Sequence, residues 1–221
     1  MKPSYFRVHP TIFQPILWLL FLIILSHISE AKAHPHSWVS VLTELEGDSR
    51  QLSGLRMYWT FDLITTSDAL AGEDLSADNQ PLVLQALAAE MLSNIKNEGY
   101  YTHLENQGGG LHFKEPDQAT LTLEDYKLTL QFFLELEQPL ALPLTDLTLK
   151  IYEDTYYVDF LWLQKDDLQL SESFHADCQL KLVEAQTTSE QIAYVSSLPI
   201  DAQGDSKFGE MFTQSVTINC L

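Results

Sequence analysis

An α+β fold, mainly antiparallel β-sheet with one long covering helix, is predicted by three features of the 221-residue sequence. Most of the chain alternates apolar and polar residues with a period of two. One stretch without glycine repeats its apolar residues at helical spacing, and short turn-forming clusters punctuate the alternating runs. Together these describe several hairpins and one helix laid on them.

The chain opens on a segment of a different kind. Lys2 and Arg7 precede an uninterrupted apolar run at residues 16–25 (ILWLLFLIIL), and Ala31-Lys32-Ala33 supplies a small-x-small site just before His34. Ten apolar residues match a signal-peptide core, whereas a membrane-crossing helix needs roughly 20. Residues 1–33 therefore read as a cleaved secretory signal peptide, and residues 34–221 as a single exported α+β domain in an oxidising compartment; an uncleaved N-terminal anchor is the alternative.

Along the expected mature chain, residues 37–46 alternate as a strand, Gly47-Asp48 turns, and residues 52–62 return, a hairpin. From Asp78 the spacing changes. Leu82, Leu84, Leu87, Ala88, Met91, Leu92 and Ile95 share a helical face, with Pro81 suited to the first turn and Gly99 to the end. Two more hairpins follow, one around residues 106–110 with three glycines and one around residues 124–127. Residues 146–163 form the most apolar block and read as strand, turn at 153–155, strand, placed centrally. A strand near 178–184, a mobile loop from about 187 to 207 and a last strand at 213–220 complete the reading.

Charge narrows the partners. The whole chain carries −19; removing Lys2, Arg7, Lys32 and Glu30 with the leader leaves 9 bases and 30 acids, a net of −21. Such a field repels nucleic acid and anionic lipid and gathers cations, although it also serves solubility alone. The two cysteines, Cys178 and Cys220, make one disulfide the default in an oxidising compartment; a two-thiolate metal site would need further ligands, and only His175 is near in sequence.

Cleavage after Ala33 makes His34 an N-terminus. Its α-amine, its imidazole and the imidazole of His36 offer three nitrogens, a set suited to copper, zinc or nickel. Pro35 lacks the N–H that the square-planar amino-terminal motif requires, which excludes that mode. If the strand at Trp38 continues toward the N-terminus, His34 and His36 point to one face. The plain alternative is a frayed, solvated end.

The HPHSWV opening, Trp59-Thr60-Phe61-Asp62, the YEDTYYVDF run at residues 152–160, and Cys178 with Cys220 together resemble the exported family known as domain of unknown function 1007. The resemblance spans His34 to Cys220. It implies a periplasmic component of an uncharacterised ABC-type transport system, often accompanying nickel, cobalt or zinc uptake machinery. A metal-binding or metal-delivery role, with an inner-membrane metal permease as partner, is thus implied by likeness. This chain departs from the family pattern at Leu63, at Glu153-Asp154, and at residues 73–80, which lack the central Gly and terminal Glu of a calcium loop.

Asp62 ends an aromatic strand beside the one that starts near His36, so it is a carboxylate ligand candidate or a turn or helix-cap acid. Asp159 sits among Tyr157, Val158, Phe160, Leu161 and Trp162; a charge there must be paired, hydrogen-bonded or metal-bound. His103 and His112 flank the glycine loop and could meet across strands. No nucleophile elbow, phosphate loop or dinucleotide fingerprint is present in the sequence.

The reading is therefore a non-enzymatic periplasmic protein binding zinc, nickel, cobalt or copper through His34, His36, Asp62 and Asp159. A copper-dependent oxidative enzyme using the N-terminal histidine, and a metal-free interaction module for a membrane partner, are the competing readings.

Overall fold

The structure, a computed structural model, describes residues 35–198 and 207–221. The expected leader and His34 lie outside the described residues, as does part of the expected loop at 187–207. No helix among the described residues is long and apolar enough to cross a membrane.

Two sheets form the molecule. The first orders its strands β5-β6-β2-β1-β8, and β9 (Leu168–Leu170) also pairs with β1; the second runs β10-β11-β7-β3-β4. In the first, β1 (Ser37–Gly47) and β2 (Gln51–Phe61) form the expected hairpin, with Val41 opposite Trp59 and Leu45 opposite Leu55. Alternation sends Val39, Val41 and Leu45 inward while Trp38 stays in solvent. β5 (Ala119–Glu124) and β6 (Lys127–Ala141) join through Asp125-Tyr126, both at positive φ, as a two-residue hairpin turn requires.

The second sheet holds β3 (Thr102–Asn106), β4 (Gly109–Leu111), β7 (Leu144–Ile151), β10 (Cys178–Val183) and β11 (Ser215–Cys220). Cys178 lies directly opposite Cys220, and the two are disulfide-bonded. The bond ties the final strand to its neighbour; closing a loop of this length stabilises by roughly 3–4 kcal/mol in the chain-entropy model. One continuous apolar cluster draws on both sheets, with Leu55, Met57, Leu130 and Phe132 from the first and Leu104, Leu149, Ile151 and Val216 from the second.

Four expectations need correction. The residue 146–163 block is not a pair of neighbouring strands: β7 is central in the second sheet, whereas β8 (Val158–Leu161) lies at an edge of the first, parallel to β1. The turn between them moves the chain from one sheet to the other. Glu153 builds that turn by accepting hydrogen bonds from the Thr155 and Tyr157 amides and the Thr155 hydroxyl. The glycine loop is also shorter than expected, since Asn106 pairs with Gly109 and leaves only Gln107-Gly108 to turn.

The helical expectation holds in part. α2 (Gln80–Ile95) has Pro81 in its first turn and runs into a 3-10 segment, Lys96–Tyr101. It packs on the edge strand β5, burying Ala88 and Leu92 but leaving Leu82 in solvent, so it covers one margin of the sheet. Three short helices accompany it: α1 (Leu63–Ala69), α3 (Ser189–Ser196) and α4 (Phe208–Phe212). α3 occupies what was expected to be loop, because Thr188 and Gln191 form a reciprocal capping box at its start.

Candidate functional site

Of the predicted ligands, His36, Asp62 and Asp159 lie around the start of β1. The backbone there is gripped on both sides. On one side, Trp38 and Asp62 exchange hydrogen bonds: the Asp62 amide donates to the Trp38 carbonyl (3.0 Å), and the Trp38 amide donates to Asp62 Oδ2 (2.9 Å). On the other, the His36 amide donates to the Tyr157 carbonyl (2.9 Å) just before β8. The His36 ring stacks on Tyr157, centroids 4.5 Å apart and planes inclined by 22°. His36 is thus part of the sheet margin.

Asp62 caps α1. Its Oδ1 accepts from the Ile64 and Thr65 amides, while Oδ2 accepts from the Thr65 hydroxyl and the Trp38 amide. Burial alone would raise this carboxyl; the hydrogen bonds from Trp38, Thr65 and Ile64 outweigh it and hold the group below the ordinary value. The Ile64 and Thr65 contacts fit the helix-cap alternative, and the Trp38 contact links α1 to the opening of β1.

Asp159 is opposite Trp38 in the β1–β8 register and is buried. Burial pushes its carboxyl up to about 6, opposed by a hydrogen bond from the Tyr156 hydroxyl to Oδ2 at 3.3 Å. The Tyr156 ring stacks on Phe212 of α4 at 4.7 Å. Tyr156 has φ of +60°, a left-handed conformation in which a residue with a Cβ is uncommon, and its hydroxyl reaches Asp159 from there. By strand alternation His36, Trp38 and Asp159 fall on one face.

Among the described residues, no three His, Cys, Asp or Glu side chains converge as a metal-holding group. The donor set expected from sequence draws on His34, which lies outside them. His103 stacks on Tyr152 (4.0 Å, 9°), and burial lowers its pKa against the opposing pull of Asp154, Glu105 and Glu210. His112 lines the same cleft as His103, together with Glu105 and Glu137. His175 follows β9, its amide donating to the Ser173 carbonyl.

Sequence reasoning did not name Tyr156 or Tyr157 as site residues, although a hydrogen-bonded Asp159 was among its readings. The available signal was a pair of adjacent tyrosines three and two residues before that acid.

A family model matches this chain over residues 19–220. The chain belongs to that family, described as protein of unknown function (DUF1007). An uncharacterized protein of Haemophilus influenzae is 28% identical to this chain over 191 residues, covering 85% of this chain and 91% of the relative.

Proposed function

We propose that this chain is a periplasmic transition-metal-binding accessory protein that carries zinc, nickel or cobalt as cargo and assists an uptake permease in the inner membrane. The observation that carries the reading is the anchoring of His36. The third residue past the expected cleavage site is hydrogen-bonded and ring-stacked onto Tyr157 at a sheet margin, where a solvated terminus would have neither contact. His34, with its α-amine, would lie two residues beyond that anchor.

In this reading His34 and His36 supply the nitrogen donors. Asp159, opposite Trp38 on the neighbouring strand β8, is the carboxylate, and Asp62 positions β1 through the Trp38 amide. The excess of 21 negative charges on the processed chain (30 acids against 9 bases) raises the local cation concentration. The Cys178–Cys220 disulfide supports an oxidising compartment.

Titration calorimetry with zinc, nickel and cobalt on protein whose N-terminus is verified as His34 tests the proposal. One site is expected, weakening below about pH 6 as imidazoles protonate. A His34→Ala/His36→Ala variant with unchanged affinity would overturn it. Extending the chain ahead of His34 tests the α-amine separately, since an affinity that survives the extension assigns binding to the imidazoles alone.

A further inference from the structure

One end of the first sheet carries an apolar tip. β1, β6 and β8 start there and β2 and β5 end there, so Trp38, Leu63, Ile64, Tyr126 and Tyr157 are brought to the same margin. Backbone and hydroxyl contacts connect them: Trp38 is paired with Asp62, Thr65 with Ser37, and Thr66 with the Leu128 amide beside the Tyr126 turn. These five side chains are 45% to 86% exposed. Leu63 and Ile64 open α1 and point into solvent from a helix whose cap, Asp62, spends its charge on backbone amides.

We propose that this tip rests on the outer surface of the inner membrane, its occupant being the lipid interface itself. Two observations select lipid. Tryptophan and tyrosine beside leucine and isoleucine are the composition that settles at a bilayer–water boundary. Nine residues separate the apolar run ending at Leu25 from Pro35, a reach of roughly 30 Å fully extended, so the chain enters the domain at the very end that carries the tip. For a leader engaged in the membrane, as the export reading has it, that reach is the longest tether the tip could have. The acidic remainder of the surface opposes adsorption to anionic lipid, which directs the contact to zwitterionic headgroups and to the tip alone. The inference uses the export reading and is independent of metal binding.

The test uses metal-free protein beginning at His34 with phosphatidylcholine vesicles. Trp59 and Trp162 are buried, so Trp38 reports contact with the vesicle surface. Vesicle co-sedimentation and quenching of Trp38 by brominated phosphatidylcholine are expected. Replacing one third of the lipid by phosphatidylglycerol should weaken both at low salt. A Leu63→Ser/Ile64→Ser variant should lower the bound fraction at least fivefold with its far-ultraviolet spectrum unchanged. Absence of quenching would overturn the proposal, as would equal binding by the variant. So would sedimentation equilibrium showing a dimer that the variant abolishes, which would assign the tip to a second copy. Vesicle binding together with failed metal titrations would leave this inference standing and sink the cargo reading.

Discussion

At the scale of single residues, two aspartates with similar sequence surroundings have opposite physics. Asp62 is charged and satisfied: four donors surround its oxygens, and its folded pKa lies below its ordinary value. It therefore stabilises the fold above the unfolded carboxyl range, and that contribution is lost as pH falls through its depressed folded pKa. Asp62→Ala should cost about 1–2 kcal/mol in urea unfolding at pH 7, the range of a lost helix cap. Asp159 is the reverse case. Its folded pKa of about 6 exceeds the ordinary 3.8, so the native state holds the proton more tightly and stability declines as pH rises from about 4 to 6. Asp159→Asn should flatten that decline and stabilise the metal-free protein by about 1–3 kcal/mol at pH 7.5. The same variant should weaken metal binding if the carboxylate is a ligand. A stabilised protein with unaltered affinity would assign Asp159 to the Tyr156 hydrogen bond alone.

At the scale of elements, the turn at residues 152–157 decides the architecture, and α4 buttresses it. Gly209 of α4 lies so close to this turn that an added Cβ would collide with the Glu153 carbonyl oxygen and come within 3.0 Å of Tyr152. The Gly209 amide also donates to the Asp154 carbonyl at 2.9 Å. Gly209→Ala should destabilise by about 1–3 kcal/mol through overpacking, measured by thermal and urea unfolding. Because the turn carries Tyr156 and Tyr157, the variant should also disturb the stacked His36. A His36 proton resonance unmoved by the substitution would show that the buttress and the site are uncoupled. Most of the hairpins were legible in the sequence, since β1–β2 and β5–β6 are joined by short turns whose residues advertise them. The β7–β8 crossing was not, because strand periodicity is identical whether the next strand joins the same sheet or another one. The extent of α2 cover was hidden for a similar reason: a helical apolar face says that burial occurs, but not how much sheet lies beneath it.

At the scale of the whole molecule, charge and core pull in different directions. One apolar cluster joins both sheets, while 31 acids face 12 bases and the pairs Lys96–Glu115, Lys114–Glu135 and Lys150–Glu210 neutralise only a small part. Self-repulsion should therefore be measurable. Raising ionic strength from 0.01 to 0.15 M shortens the screening length from about 30 to 8 Å and should lift the melting temperature on the order of 3 °C. A melting temperature indifferent to salt would mean that the acids are already spaced beyond mutual influence. Sequence by itself determined the local order of this protein, most of its hairpin turns and the helical stretch, because these follow from neighbours along the chain, and the disulfide and acidic balance, because these follow from composition. Only the tertiary structure decided that β7 and β8 part company, that Asp62 is a clamp, that Tyr156 reaches Asp159, and that five apolar side chains share one tip. Those depend on which distant segments meet, and the free energy of that choice resides in the shared core and in turn geometry, not in any one segment's own pattern.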